Sequence, residues 1–139
     1  MIADCFLDTN ILVYAAIGRH AEPEKYARSR DVIASTHFGI SGQVLSEFFV
    51  NATKKSDVPL TSEQAFNWIE RLQDRPCASI DHDLVTAAIK HAGRYKISYW
   101  DAAILAAAER LGAPILYTED LSHGQHYGAV QVINPFRSH

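Results

Sequence analysis

Apolar and polar residues alternate along this chain in blocks, a pattern typical of short strands and helices that follow one another. The first apolar block, residues 2–7, has the length of a buried strand, and residues 11–17 have the composition of the start of a helix. Three small polar residues, Asp8-Thr9-Asn10, separate the two blocks. They are predicted to form the turn from the first strand into the first helix.

The pattern continues in the same order to the end of the chain. Further helices are predicted at residues 23–35 and 42–54, from a Thr61/Gln64 capping box to a stop before Pro76, from the capping residue Asp81 to Gly93, and from Ser98 to Gly112. Further strands are predicted at residues 38–41, 78–80, 113–117 and 130–133. Strands and helices that alternate without hairpin turns predict an α/β fold, with a mostly parallel sheet between two layers of helices.

One helix differs from the others because it is apolar on every side. Residues 102–108 are seven consecutive apolar residues, and they follow Ser98-x-x-Asp101, which matches a capping box. A helix without a polar face is normally buried in the middle of a domain. Asp101 is therefore predicted to lie in the first turn of a central helix.

Composition narrows the class of protein. A chain of 139 residues with 47% hydrophobic and 21% charged residues fits one folded domain, here taken as residues 1–139. Its two cysteines match neither a disulfide framework nor a metal-binding spacing. No targeting signal is visible in the first residues, and no apolar stretch is long enough to span a membrane. A cytoplasmic protein is expected. Because the net charge is -3, any nucleic-acid binding must depend on local basic groups or bound cations.

Four acidic residues stand where a parallel sheet would bring them together. Asp8 and Asp120 follow strands, Asp101 begins the central helix, and Glu47 lies on the helix after the second strand. Parallel strands open on one edge of the sheet, where ligands of such folds bind. Clustered carboxylates require a cation or raised pKa values, and oxygen ligands favour Mg²⁺ or Mn²⁺ over zinc. This chemistry suits metal-assisted hydrolysis of a phosphodiester, in which a water attacks the phosphorus.

Each acid also has a purely structural interpretation. Asp101 could serve only in the capping box, and Asp8 and Asp120 could be turn or N-cap residues. Glu47 shares a helix face with Gln43 and Asn51, so it could lie in a cleft or in solvent. Spacing alone does not establish that the four side chains converge.

Four motifs, in order along the chain, resemble those of a PIN domain of the VapC toxin type. They are Phe6-Leu7-Asp8-Thr9-Asn10, Ser41 with Glu47, Ser98-Tyr99-Trp100-Asp101-Ala102-Ala103-Ile104 and Leu116-Tyr117-Thr118-Glu119-Asp120-Leu121. The resemblance runs over residues 2–136. It implies a three-layer α/β/α PIN-like domain and a Mg²⁺- or Mn²⁺-dependent endoribonuclease, the toxin of a type II toxin-antitoxin pair. RNA would be the substrate, and a homodimer held by a cognate protein antitoxin would be the usual assembly.

The resemblance also implies roles for individual residues. Asp8, Glu47, Asp101 and Asp120 match the family's acidic quartet, with Asp8 and Asp101 as the closest metal ligands, while Glu119 could share or replace the role of Asp120. The residues expected to orient the carboxylates or water are Thr9, Asn10, Ser41 and Thr118. Independently of the resemblance, the candidate contacts to RNA phosphates are Lys54, Lys55, Arg94 and Lys96, and surface solvation is the favoured alternative for any one of them. Trp100 is expected to pack in the core, with support of a base as the alternative.

Two other functions remain open at this point. A phosphohydrolase with Asp8 as nucleophile would need a partner acid two residues later, where this chain has Asn10. A catalytically inactive PIN module could serve as a binding or dimerisation platform, although the presence of all four acids argues against it.

Overall fold

A central sheet organises the molecule, and the computed structural model describes it within residues 2–54 and 57–137. Its strands are β1 Cys5–Leu7, β2 Phe38–Ser41, β3 Cys77–Ala78, β4 Ile115–Tyr117, β5 His126–Tyr127 and β6 Val130–Ile133. They lie in the order β3-β2-β1-β4-β6-β5. Every neighbouring pair is parallel except β5 with β6. The mostly parallel sheet predicted from the sequence is confirmed.

Helices cover this sheet, so the predicted α/β/α layering is also confirmed. Within the described ranges they are α1 Thr9–Ile17, α2 Pro23–Ser35, α3 Gly42–Lys54, α4 Ser62–Arg71, α5 His82–Tyr95 and α6 Tyr99–Arg110. The α1 helix packs on α2 and α3, α3 packs on α4, and α5 packs on α6. The α6 helix also contacts β2, β4 and β6, and its apolar run is buried along its whole length, as predicted. No helix in this part of the chain is long and apolar enough to cross a bilayer.

The core is formed where apolar strands meet apolar helix faces. Its largest fully buried side chains include Phe6, Phe38, Ile40, Phe48, Leu105 and Leu116. The central strands are apolar on both faces because helices cover both sides of the sheet. A Cβ on Gly39 would lie 2.6 Å from Cδ1 of Leu111, so the glycine in β2 allows the end of α6 to pack closely against the sheet.

The register between β1 and β4 positions the functional residues. Leu7 pairs with Tyr117, and the Asp8 amide donates a hydrogen bond to the Tyr117 carbonyl at 3.0 Å. The residues that follow the two strands, Asp8 and Thr118, therefore lie side by side. Since β2 ends at the same edge and leads directly into α3, this edge also receives the helix that carries Glu47.

The start of the chain differs from the prediction at two boundaries. The first strand begins at Cys5 rather than at residue 2, because Ala3 and Asp4 donate to loop carbonyls outside any strand ladder. The first helix begins at Thr9 rather than at residue 11. Asp8 is extended and its carboxylate caps the helix, so the predicted turn Asp8-Thr9-Asn10 consists of a cap and the first two helical residues.

Three later elements also differ from the prediction. The described residues contain one antiparallel hairpin, in which β5 turns into β6 through Gly128 at a φ of 61°. A two-residue strand is too short to show an alternating pattern, which is why β5 could not be predicted from the sequence. The α5 helix runs through Gly93 to Tyr95 and ends at Lys96, and the third strand is Cys77–Ala78 rather than residues 78–80.

Candidate active site

The carboxyl edge of the sheet opens into a cleft of about 390 Å³, and all four acids of the predicted quartet line it. Asp8 follows β1, Glu47 lies on α3, Asp101 lies in the first turn of α6, and Asp120 follows β4. Four separate segments therefore place a carboxylate at one site. The polar residues Thr9, Asn10, Gln43 and Asn51 complete its walls together with Trp100.

Asp8 is the most buried of the four acids, at 6% exposure. Its Oδ1 accepts a hydrogen bond from the Thr9 amide and its Oδ2 accepts one from the Thr118 hydroxyl, both at 2.7 Å. Burial raises the pKa of Asp8 to about 6, since the two hydrogen bonds lower it less and the charges of Asp120 and Glu47 raise it further. The fold thus holds a costly charge in a fixed orientation.

Glu47 is directed into the cleft and not into solvent. The Thr9 hydroxyl donates to Glu47 Oε1 at 2.9 Å, so the residue after Asp8 fixes the second acid. Gln43 lies one turn earlier on α3, and its Nε2 is 3.5 Å from Glu47 Oε2 and 3.3 Å from the Trp100 carbonyl. Gln43 therefore joins α3 to the start of α6 across the cleft.

Asp101 and Asp120 face each other from α6 and the β4 loop. Ser98 caps α6 by accepting a hydrogen bond from the Asp101 amide at 3.1 Å, which leaves the Asp101 carboxylate in the cleft wall. Burial raises the pKa of Asp120, the nearby Asp101 charge raises it further, and the Asn10 amide lowers it by donating to Asp120 Oδ2 at 3.1 Å. Only half of the predicted capping box is therefore found. Within the described residues, the Asp101 carboxylate makes no hydrogen bond to the Ser98 amide and lines the cleft instead.

Thr118 connects two of the acids. Its buried hydroxyl donates to Asp8 Oδ2 and accepts a hydrogen bond from the Asp120 amide at 3.1 Å. One side chain at the end of β4 therefore fixes both the Asp8 carboxylate and the backbone that carries Asp120.

Glu119 has a different environment from its neighbour Asp120. Glu119 Oε1 accepts from the Tyr14 hydroxyl at 3.2 Å and from Lys25 Nζ at 3.1 Å, while Asp120 lines the cleft. The pKa of Lys25 is raised by its hydrogen bond to Glu119. Because an ion pair engages Glu119, Asp120 is the acid of this pair that remains directed to the cleft. The sequence pattern gave no signal for the Lys25 contact.

Two of the residues expected to orient the site differ in their partners. Ser41 Oγ accepts from the Val44 amide at 3.3 Å, so the hydrogen bond found for Ser41 is to the first turn of α3 and not to a carboxylate. Asn10 holds Asp120 through Nδ2, whereas its buried Oδ1 has no hydrogen-bond partner among residues 2–54 and 57–137. An unpaired buried acceptor at the cleft wall is suited to a donor that enters with a ligand, such as a water.

The donor set has the chemistry of a site for a hard cation. Its carboxylate and amide oxygens are the ligands that Mg²⁺ and Mn²⁺ prefer, and two carboxylates 4 Å apart repel by about 4 kcal/mol at an effective dielectric of 20. Within residues 2–54 and 57–137, no three Asp, Glu, His or Cys side chains meet as a group that could hold a metal ion. Mg²⁺ retains several waters and often binds only one or two carboxylates, so this wider spacing remains compatible with it.

Three of the basic residues considered for RNA binding, Lys54, Arg94 and Lys96, do not line this cleft. Among the described residues that line it, none is a lysine or an arginine. Lys54 lines a neighbouring cavity, Arg94 stacks on the Tyr95 ring, and exposed Lys96 caps α5 with a φ of 55°. Lys55 lies outside the described residues. The arrangement leaves the cleft itself strongly acidic.

Trp100 does not pack in the core as predicted. Its side chain is 63% exposed and lines the cleft next to Asp101. The buried part of α6 runs from Ala102 to Ala108, and Trp100 precedes it in the first turn of the helix, which explains the difference. Asn51 was identified only by its spacing from Gln43 and Glu47, and the structure places it on the cleft wall.

Comparison with known proteins supports this architecture. The chain resembles a solved structure of a VapC toxin from Mycobacterium tuberculosis that is described as cleaving the sarcin-ricin loop. The two are 19% identical over 84% of this chain and 89% of that chain, with a TM-score of 0.67. It also resembles a toxin-antitoxin complex from Klebsiella pneumoniae, with 22% identity over 94% of this chain and 97% of that chain and a TM-score of 0.67. A third similar structure is a DNA-bound VapBC complex from Rickettsia felis, with 20% identity over 95% of this chain and 97% of that chain and a TM-score of 0.62. A search of curated proteins gave no significant match. The PIN domain profile matches residues 5–127, and the chain therefore belongs to the PIN domain family.

Proposed function

We propose that this PIN domain is a metal-dependent endoribonuclease that hydrolyses RNA phosphodiesters with water as the nucleophile. The observation that carries the proposal is the convergence of Asp8, Glu47, Asp101 and Asp120 on one cleft whose described lining contains no lysine or arginine. An anionic phosphate is repelled from such a cleft unless cations neutralise it. The site therefore combines oxygen donors with a need for positive charge.

Asp8 and Asp101 are the residues proposed to bind Mg²⁺, for which Mn²⁺ can substitute. A bound cation would neutralise the phosphate and lower the pKa of a water. Asp8 is suited to this role because its two hydrogen bonds fix the carboxylate while each oxygen keeps a free lone pair. Asp120, held by Asn10, would contribute negative charge beside Asp101.

Glu47 is proposed to orient the attacking water. The Thr9 hydroxyl and the Gln43 amide hold its two oxygens, so the carboxylate has a defined direction within the cleft. The buried Asn10 Oδ1, which has no hydrogen-bond partner in the described part of the chain, would accept a hydrogen bond from a second water. These residues align the nucleophile, a contribution that depends on geometry as much as on charge.

The proteins that this chain resembles support a proposal for its biological role. Their descriptions name VapC toxins and toxin-antitoxin complexes, and one toxin is described as cleaving the sarcin-ricin loop. We extend this to the chain as the proposal that it is the toxin of a type II pair, inhibited by a cognate protein antitoxin and active as a homodimer. RNA is the proposed substrate class.

The two alternatives receive less support from the geometry. A nucleophilic Asp8 would require a partner acid two residues later in the chain. The residue two positions later is Asn10, which cannot act as the partner acid. An inactive platform would have no need for Asp8 to remain buried at a raised pKa.

Cleavage of total bacterial RNA by purified, antitoxin-free protein tests the proposal. Discrete fragments are expected with Mg²⁺ or Mn²⁺ and none with EDTA. Asp101→Asn should lower the cleavage rate by at least about 100-fold, since loss of even a supporting group around a metal costs 10–100-fold.

The matched control is Glu119→Gln, which removes the carboxylate next to Asp120 in the chain; this carboxylate binds Lys25 instead of facing the cleft. This variant should keep most of the activity. Equal loss in both variants would indicate that general negative charge matters rather than the cleft. Fragments that persist in EDTA would contradict metal dependence.

A further inference from the structure

Trp100 is a large aromatic side chain held in position yet open to solvent. The Trp100 ring contacts the Tyr99 ring edge-on, with centroids 5.0 Å apart. The main-chain carbonyl of Trp100 accepts a hydrogen bond from Gln43, which fixes the backbone that carries the ring. The side chain is nevertheless 63% exposed. Since water contact with a tryptophan ring is unfavourable, a fixed and exposed ring is suited to contact a ligand.

The exposed ring separates the acidic cleft from a second cavity. This cavity has a volume of about 480 Å³ and shares Gln43, Glu47, Asn51 and Trp100 with the cleft. Its outer side is formed by Ser46, Val50 and Ile80. An RNA strand with one phosphate in the cleft would therefore place an adjoining nucleotide within reach of this cavity.

The cavity combines a flat apolar surface with polar groups at its edge. Trp100, Val50 and Ile80 are apolar and exposed, at 63%, 48% and 57%. The Asn51 side chain makes no hydrogen bond within residues 2–54 and 57–137, so its donors and acceptor are available. Stacking surface beside an unpaired carboxamide is the combination that binds an unstacked base through its face and its edge.

We propose that this cavity is a subsite for an unpaired nucleobase next to the scissile linkage, with Trp100 as the stacking surface and Asn51 at the base edge. The inference rests on the proposed ribonuclease function and names the form of its substrate, which is a single-stranded or unstacked RNA segment. Continuity with the cleft favours this occupant, because four of the lining residues belong to both. The absence of lysine and arginine from its described lining fits a neutral base better than a phosphate.

Binding measured without cleavage tests the subsite separately from catalysis. The probe is a single-stranded 2′-O-methyl hexaribonucleotide with methylphosphonate linkages, prepared with adenine or with uracil. Its linkages are neutral, and no free 2′-hydroxyl is present to cleave them. The protein is Trp68→Phe, in which Trp100 is the only tryptophan. Saturable quenching of Trp100 emission is expected, and Trp100→Leu should weaken binding of a dye-labelled probe by about 5- to 150-fold. An abasic site should cause a similar loss at one position only.

The matched control is Trp100→Phe, which retains Trp68 at its contact with Phe48 and should show no quenching. If Trp68→Phe does not fold, fluorotryptophan-labelled wild type provides a separate fluorine resonance for Trp100. Probe binding that leaves Trp100 unaffected would overturn the proposal. The proposal would also be overturned if Trp100→Leu bound the probe as well as the wild type does and sedimented as a monomer while the wild type sedimented as a dimer. Quenching without RNA cleavage would instead contradict only the nuclease function.

Discussion

In EDTA at about pH 8, Asp8→Asn is expected to be more stable than the wild type by about 3 kcal/mol. Burial raises the pKa of Asp8 from 3.8 in the unfolded chain to about 6 in the fold. An acid whose pKa is higher in the fold favours folding when it is protonated. The free-energy cost of burying the Asp8 charge is therefore absent below about pH 4 and is fully present once the pH has risen through 6. A difference of about two pKa units corresponds to roughly 3 kcal/mol, and asparagine carries no such cost.

Urea unfolding at about pH 8 and about pH 4 measures this effect. The gain from Asp8→Asn should largely disappear at the lower pH, where the wild-type carboxyl is protonated. Asp31→Asn is the matched control, because Asp31 is exposed on α2 and its change should stay within about 0.5 kcal/mol. An Asp8→Asn protein that is less stable than the wild type at pH 8 would show that the hydrogen bonds from Thr9 and Thr118 outweigh burial.

Thr118→Val is expected to reduce RNA cleavage by about 10–100-fold, although Thr118 carries no charge. Valine has nearly the same shape, but it removes both the hydrogen bond to Asp8 and the acceptor for the Asp120 amide. The Thr118 hydroxyl lowers the pKa of Asp8, so its loss should raise that pKa further. The acidic limb of the pH–rate profile should then move to higher pH.

Cleavage rates across pH, together with Mg²⁺ titration by calorimetry, test this prediction. Weaker Mg²⁺ binding and a shifted pH profile should appear together in Thr118→Val. Thr53→Val serves as the control because the Thr53 hydroxyl donates only to carbonyls of its own helix. A lower rate with an unchanged pH profile would mean that Thr118 acts through general packing instead of through Asp8.

Much of the fold was predictable because burial leaves a clear mark on the sequence. Strands β2 and β6 and helices α2 and α3 match their predicted ranges, since apolar blocks bounded by glycine, proline or capping residues define them. The parallel order then places the residues after β1 and β4 together. The position of the acidic cleft therefore followed from the strand ends, and the resemblance to PIN domains indicated which acids to expect there.

Long-range contacts were the part that the sequence did not reveal. Glu119 and Asp120 are adjacent, and only the position of Lys25 on α2 distinguishes their roles. A tryptophan is expected in a core, but Trp100 lies in the first turn of α6, before the buried part of the helix, and is exposed there. Gly93 suggests a helix end, yet α5 continues because Tyr95 packs edge-on against Tyr127, with ring centroids 5.0 Å apart. Each outcome depends on a partner distant in sequence.

The chemistry at the ends of the RNA fragments tests the central claim most directly. If the acidic cleft directs a water at the phosphorus in the presence of Mg²⁺, every fragment should carry a 5′-phosphate and a 3′-hydroxyl, and Asp8→Asn and Asp101→Asn should yield no such fragments. Fragments with a 2′,3′-cyclic phosphate and a 5′-hydroxyl would show that the ribose hydroxyl attacks instead, and would contradict this account of the site.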